Sequence, residues 1–191
     1  MKIKKILAPL NETTILTLKA GDQVLITGTI YTARDAAHAR MIENLEKGIP
    51  IPFSVENQII YYVGPCPAKP GEVIGSAGPT TSHRMDAYAP ELIKRGLGGM
   101  LGKGNRGQQV VDAMKKYHCV YFSCVGGAGA LLQDCIKEVE LIDYKDLGTE
   151  AIRKLKVIDF PAIVSIDCQG NNLYEVEKLK YVNKNAGGQN G

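Results

Sequence analysis

The sequence predicts an α/β domain. Apolar, β-branched runs of strand length alternate with helix-period segments along most of the chain. Glycine, proline and hydroxyl residues punctuate these segments at the expected boundaries. The 191 residues fit one domain large enough to bury a real core, and no internal repeat divides them.

The clearest unit is "GDQVLITGTIYTARDAAHARMIENLEKG". Val24 to Tyr31 reads as a strand, and a helix from about Ala33 to Lys47 follows, ended by Gly48. Thr32 with Asp35 three residues later resembles a capping box, although Asp replaces the usual Glu. "IPIPF" is extended because of its prolines. "QIIYYVGP" is a short strand, "CPAKPG" a turn-rich link, and "EVIGSAGP" another short strand ending in a tight turn. A helix from about Ser82 to Arg95 is expected next, capped by Thr81 or Ser82, with Asp86 in its first turn and a kink at Pro90. After "GLGGMLGKGNRG" come a helix in "QQVVDAMKKYH", a strand in "CVYFSCVGG" and a short helix in "AGALLQDCI". "KVIDFPAIVSIDCQGN" gives two strands interrupted by Pro161, and "NKNAGGQNG" reads as a flexible tail.

Composition excludes several classes. The apolar fraction is 45%, the charged fraction 23% and the formal net charge +3, ordinary values for a soluble domain. Lys178, Lys180 and Lys184 lie near the end of the chain, so the body is close to balanced. No basic patch with interleaved aromatics argues for nucleic-acid binding. "MKIKKILAPLNE" is no secretory leader, and no apolar run reaches the length of a membrane span. The expected location is the cytoplasm. Of the five cysteines, Cys119 and Cys124 lie in one expected strand with side chains on opposite faces, which argues against a shared metal. With Cys66, Cys135 and Cys168 they read as free thiols in a reducing compartment.

Arg34 and Arg84 share a situation. Each is placed in the first turn of a predicted helix, where a cation costs about 0.3–1 kcal/mol unless something negative is near. Two readings are open. Each arginine pairs with a nearby carboxylate such as Asp35 or Asp86, or the two together take a ligand with two negative groups. Guanidinium suits the second because it grips a carboxylate through two parallel hydrogen bonds. "GKGNRG" fits G-x-G-x-x-G before a helix but lacks the acidic residue of a dinucleotide site, and Lys103 is misplaced for a P-loop. It reads either as a solvated glycine turn or as a flexible loop offering Lys103, Asn105 and Arg106 to an anion. Thr80, Thr81 and Ser82 offer caps, ligand donors or a base. His38 lies one helical turn after Arg34 and reads as a supporting or interface residue.

"TARDAAHAR", "GPTTSHRMD", "GKGNRG", "VGGAGAL" and "VIDFPAIVSIDCQGN" stand here in the order found in the C-terminal domain of class I, iron–sulfur-dependent fumarases. They equally resemble the β subunit of two-subunit fumarases and L-tartrate dehydratases. The resemblance runs from about Gly21 to Tyr174. His83 stands where long-chain relatives often carry a small residue. The resemblance implies a swivelling β/β/α domain over residues 1–175, with 176–191 as the tail. It implies a [4Fe-4S] cluster held by three cysteines of a partner α subunit, none from this chain. It further implies an α2β2 assembly with the site at the junction of the chains. Carried over by motif, Arg34, Arg84 and Lys103 bind the substrate carboxylates beside Thr80 and Thr81, and Thr80 is the candidate base with Lys103 as its catalytic neighbour. The implied reaction is reversible hydration of fumarate to (S)-malate. Dehydration of L-tartrate to oxaloacetate is the close alternative. A stand-alone anion- or nucleotide-binding module and a purely structural partner are the rivals from other classes.

Overall fold

A computed structural model describes residues 3–124 and 129–175. In chain order the elements are β1 (Lys4–Ala8), α1 (Glu12–Thr17), β2 (Gln23–Thr32), α2 (Asp35–Glu46), β3 (Ile59–Tyr61), α3 (Ala89–Lys94), β4 (Gly99–Gly102), α4 (Gln108–Tyr117), β5 (Val120–Ser123), α5 (Gly129–Cys135), β6 (Ile136–Asp143) and β7 (Ile152–Ile166). Short 3-10 turns occupy Ser82–Met85 and Lys145–Glu150. The mixed α/β reading holds. Among the described residues no helix is long and apolar enough to cross a membrane. The expected tail and the first four residues of "VGGAGAL" lie outside the described residues.

The seven strands of the described residues form one sheet in the order β1-β2-β3-β4-β5-β7-β6. β1 to β5 pair in parallel with their neighbours, and β7 runs antiparallel to β2, β5 and β6. Because β7 pairs with both β5 and β2, the ring β2-β3-β4-β5-β7 closes on itself as a barrel-like core. Strand alternation then sorts side chains into two apolar layers. Ile59, Tyr61, Leu101, Val120, Phe122 and Phe160 belong to one cluster, enclosed by the ring. Ile60, Tyr62, Met100 and Tyr121 belong to the other, beneath α2, α3 and α4.

Several local expectations are corrected. Ser82 to Arg95 is not one kinked helix but a 3-10 turn, a break at Asp86–Tyr88, and then α3 with Pro90 in its first turn, where a missing N–H costs nothing. "EVIGSAGP" forms no strand; Ile74 and Ala77 are buried as a plug, and the Tyr61 hydroxyl donates to the Ala77 carbonyl. The Thr32–Asp35 capping box is absent. Arg34 is the N-cap of α2 without a side-chain cap bond, while the Thr32 hydroxyl accepts from the Arg153 N–H at 3.0 Å. Pro161 does not divide its strand. It sits after the pairing with β6 ends at Val157 and before that with β5 begins at Ile163. The irregularity is a bulge just before it, where Asp159 adopts φ 48° and its N–H bonds the Thr27 hydroxyl at 3.0 Å.

Across that bulge Gly28 has φ 131°, and a Cβ there would lie 2.0 Å from the Ala8 carbonyl oxygen of β1. Neither the dihedral nor the space tolerates a side chain. Gly28→Ala is therefore expected to destabilise the chain by about 2 kcal/mol or more. Urea unfolding checks it: the midpoint falls while the slope stays near that of the parent.

Candidate active site at the strand ends

β2, β3, β4 and β5 are parallel, so the segments leaving them emerge on one edge. Arg34 follows β2, Gly64 follows β3, and Lys103 follows β4. Thr80 and Thr81 return to the same edge. The Thr80 N–H donates to the Tyr62 carbonyl at 2.8 Å, Thr81 makes a parallel bridge with Lys103, and the Ser82 N–H donates to the Lys103 carbonyl at 2.9 Å. Gly102 permits this approach, because a Cβ there would meet the Ser82 hydroxyl at 2.0 Å. Arg34, Thr80, Thr81, Arg84 and Lys103 are thus gathered at the carboxyl ends of the parallel strands, where α/β folds tend to bind ligands.

The negative charge that the arginines call for is partly internal. Arg84 Nε donates to Asp35 Oδ1 at 2.7 Å. Arg34 Nη2 lies 3.4 Å from Glu150 Oε1 and 3.7 Å from Asp35 Oδ2. Asp35 stands between the two guanidiniums, so its pairing with an arginine, one of the two readings open in the sequence, is realised. The arginines are not saturated. The Arg34 side chain makes no hydrogen bond among the described residues, its Nε is buried without a partner, and its Nη1 lies beside Gly64. Arg84 spends one nitrogen on Asp35 and is 51% exposed. Lys103 and Thr81 are exposed, and Thr80 is half-buried. Thr81 occupies the N-cap position of the 3-10 turn but makes no cap bond, contrary to expectation.

The glycine loop is not wholly outward. Arg106, expected to be solvated or to face an anion, is buried, with its side chain 0% exposed. Its Nε donates to Asp86 Oδ1 at 2.7 Å, and its guanidinium lies 5.3 Å and 5.2 Å from the ring centres of Tyr62 and Tyr121. Asp86 Oδ2 accepts from the Gly107 N–H at 2.6 Å and contacts His83 Nδ1 at 2.9 Å. An arginine turned into the core does not fit a phosphate-cradling loop. The sequence offered Asp35 and Asp86 as helix-start residues and as possible partners of Arg34 and Arg84, but Asp86 pairs with Arg106 instead. Glu150 and the inward turn of Arg106 carried no local signal, because the Ala36 N–H that Glu150 accepts lies 114 residues away and Asp86 lies 20 residues from Arg106.

Among the described residues no three His, Cys, Asp or Glu side chains stand close enough to hold a metal ion. Burial pushes the Cys119 and Cys124 thiols up to about 12, far from the thiolate form that binds iron. Buried and protonated, Cys119 and Cys124 do not fit as ligands of a four-iron cluster.

His38 is fully buried on the inner face of α2, edge-on to Tyr62. Its Nδ1 lies 2.9 Å from the Arg34 carbonyl, which also accepts the His38 N–H at 2.8 Å. The imidazole therefore donates from Nδ1 and pins the N-cap residue Arg34 from beneath. Burial lowers its pKa from 6.5 to about 4, so it is neutral at physiological pH. The unfolded chain takes up this proton as pH falls below 6.5, while the folded chain resists until about 4. Stability thus falls through that window and the loss levels off below it, by up to ~3 kcal/mol for this group. Urea unfolding at about pH 7 and about pH 4.5 checks it, with His38→Phe expected to lose most of the difference whatever its absolute stability.

The family model described as Fumarase C-terminus matches residues 2–177. Class I aerobic fumarate hydratase of Escherichia coli K12 is 42% identical over 179 residues, covering 93% of this chain and 32% of its own length. Mitochondrial fumarate hydratase 1 of Leishmania major is 46% identical over 153 residues, covering 78% and 28%. A protein named putative L(+)-tartrate dehydratase subunit beta, from Methanocaldococcus jannaschii, is 39% identical over 173 residues, covering 87% and 89%. The chain spans about a third of the length of the fumarate hydratases it matches. With the matched segment covering nearly all of its length, this chain belongs to the fumarase C-terminus family.

Proposed function

We propose that this chain is the β subunit of a two-subunit class I fumarase-type hydro-lyase that reversibly hydrates fumarate to (S)-malate. Its partner is an α subunit in an α2β2 assembly, in the cytoplasm, and the dicarboxylate sits where the two chains meet. Residues 1–175 form the working body, a swivelling β/β/α domain, and 176–191 its tail. The observation that carries this reading is the gathering of Arg34, Arg84 and Lys103 beside Thr80 on one edge, in a chain whose family includes named fumarate hydratases.

The residue types suit the reaction. Malate carries two carboxylates, and two or three fixed cations orient it. Dehydration removes a proton from the methylene carbon and hydroxide from its neighbour, which leave together as water. Loss of the proton builds negative charge on the adjacent carboxylate, and prepositioned cations stabilise that charge. Asp35 and Glu150 hold the arginines in place beforehand, so little reorganisation is left for the reaction. Thr80 is assigned as the base; a threonine hydroxyl needs a strongly cationic surround to act so, and Lys103 on the bridged segment supplies part of it. The [4Fe-4S] cluster belongs to the α subunit in this reading and supplies Lewis-acid chemistry there. L-tartrate offers the same two carboxylates with one more hydroxyl, so the assay includes both.

In the assembled complex, malate is expected to turn over faster than L-tartrate; the reverse order moves the assignment to tartrate dehydratase. Arg34→Ala and Arg84→Ala are each expected to lower kcat/KM about 30-fold or more, from ~2–5 kcal/mol per lost charge-assisted contact. Arg84→Ala also leaves Asp35 without its hydrogen-bonded cation, and that carboxylate then repels the substrate. Near-normal kcat/KM in both variants, with assembly intact, would overturn the dicarboxylate clamp.

Thr80→Val is expected to abolish turnover far more than it weakens binding of a substrate analogue, while Thr80→Ser keeps measurable activity. Exchange of the malate methylene proton is read alongside dehydration. Exchange at the parent rate in Thr80→Val moves the base to the partner subunit.

A further inference from the structure

Lys103 is an exposed side chain on a loop tied down at every residue from its own position onward. The Lys103 carbonyl accepts from the Ser82 N–H at 2.9 Å, and the Gly104 carbonyl accepts from the Tyr121 hydroxyl at 2.8 Å. The Asn105 side chain accepts from Asn172 at 3.0 Å. Arg106 turns inward to Asp86, and the Gly107 N–H donates to the same carboxylate. Among the described residues the exposed Lys103 side chain has no hydrogen-bond or ion-pair partner.

The Arg106–Asp86 pair is the unusual member of this set. A buried ion pair is a poor source of stability, because desolvation of both charges offsets their attraction. Here one guanidinium nitrogen, Nη2, has no hydrogen-bond partner among the described residues, which adds to the cost. A well-packed apolar side chain between Tyr62 and Tyr121 serves stability as well. What it cannot do is join the loop to the Ser82–Met85 turn, since Asp86 closes that turn and its two oxygens bind both Arg106 and Gly107. The segment carrying Thr80, Thr81 and Arg84 and the segment carrying Lys103 are thereby fixed to one another from below.

We propose that Arg106 and Asp86 are positioning residues that set the placement of Lys103 relative to Thr80 and Arg84. The role of Lys103 rests on the hydro-lyase reading above; the locking of the loop does not. Arginine is required because one planar group reaches Asp86 through Nε while lying between two tyrosine rings. Lysine keeps the charge and loses that geometry.

The test has two parts. In the full chain, amide hydrogen exchange is followed by NMR for Arg106→Lys and for the near-isosteric Asp86→Asn. The Ser82 and Gly107 amides, which bond across the junction, are expected to exchange at least about tenfold faster in both variants. The Tyr62 and Val120 amides, bonded to Leu101 and Gly98 in the sheet, are expected to stay within about threefold. Unchanged exchange at Ser82 and Gly107 overturns the proposal, and so does global unfolding of both variants, which makes the pair a stability element. In the assembled complex, Arg106→Lys is expected to lower kcat/KM for malate about tenfold or more in the parent, but less than about twofold in a Lys103→Ala background. Full additivity of the two losses shows that Arg106 does not act through Lys103 and overturns its positioning role. Absence of malate and tartrate turnover in the parent complex removes the hydro-lyase reading and with it the role of Lys103, while the exchange result still decides whether the pair locks the loop.

Discussion

The parallel pairing of β2, β3, β4 and β5 is the constraint on which the rest of the molecule depends. Parallel strands send every following segment out at the same end. Arg34, Gly64 and Lys103 are neighbours on that edge for this reason alone, though they lie far apart in the chain. β7 contributes by closing the ring, pairing with β2 along most of its length and with β5 at its end. A closed ring has few ways to splay, so the edge keeps its shape. The bulge at Asp159 and the bare backbone of Gly28 let β1, β2 and β7 approach closely enough for closure.

On this frame the charges come already paired. Asp35 holds Arg84 and stands beside Arg34, and Glu150 reaches Arg34 from the turn that precedes β7. The Glu150 carboxylate also accepts the Ala36 N–H at 2.8 Å at the start of α2. His38 fixes the Arg34 carbonyl from within the core. Both arginines on the edge therefore meet groups that orient them without using all of their donors. A site prepared in this way binds an anion with little loss of side-chain entropy. In the proposed reading the internal carboxylates also favour an anion that reaches the remaining donors over one that does not.

Much of this was legible in the sequence, and the parts that were not share a physical cause. β2, α2, α4 and β5 announced themselves through periodicity and their caps. Arg34 and Arg84 stood out because cations at helix starts need explaining; Lys103 was noticed on its glycine loop and Thr80 and Thr81 as hydroxyls before a turn, with their site roles implied by the family resemblance. β4 did not stand out, since "GMLG" is half glycine; its backbone is chosen for close approach rather than for strand propensity. "EVIGSAGP" looked like a strand because Ile74 and Ala77 are buried, but burial came from plugging the core, with no ladder to join. Arg106 was misread because a charged residue between glycines is normally solvated. Its inward turn depends on Asp86, Tyr62 and Tyr121, which only the folded chain brings together. Pro161 was overrated as a breaker, since the edge it occupies is handed from β6 to β5 at that point.

The central claim is that Arg34 and Arg84 on this edge read the two carboxylates of one small ligand. Inhibition of the assembled complex by succinate and by butyrate, which differ by one carboxylate, tests it most directly. The account predicts that the parent prefers succinate by about tenfold or more, and that either Arg34→Ala or Arg84→Ala removes most of that preference. A preference for succinate that survives both substitutions unchanged would contradict the account and assign the recognition of the second carboxylate to the partner subunit.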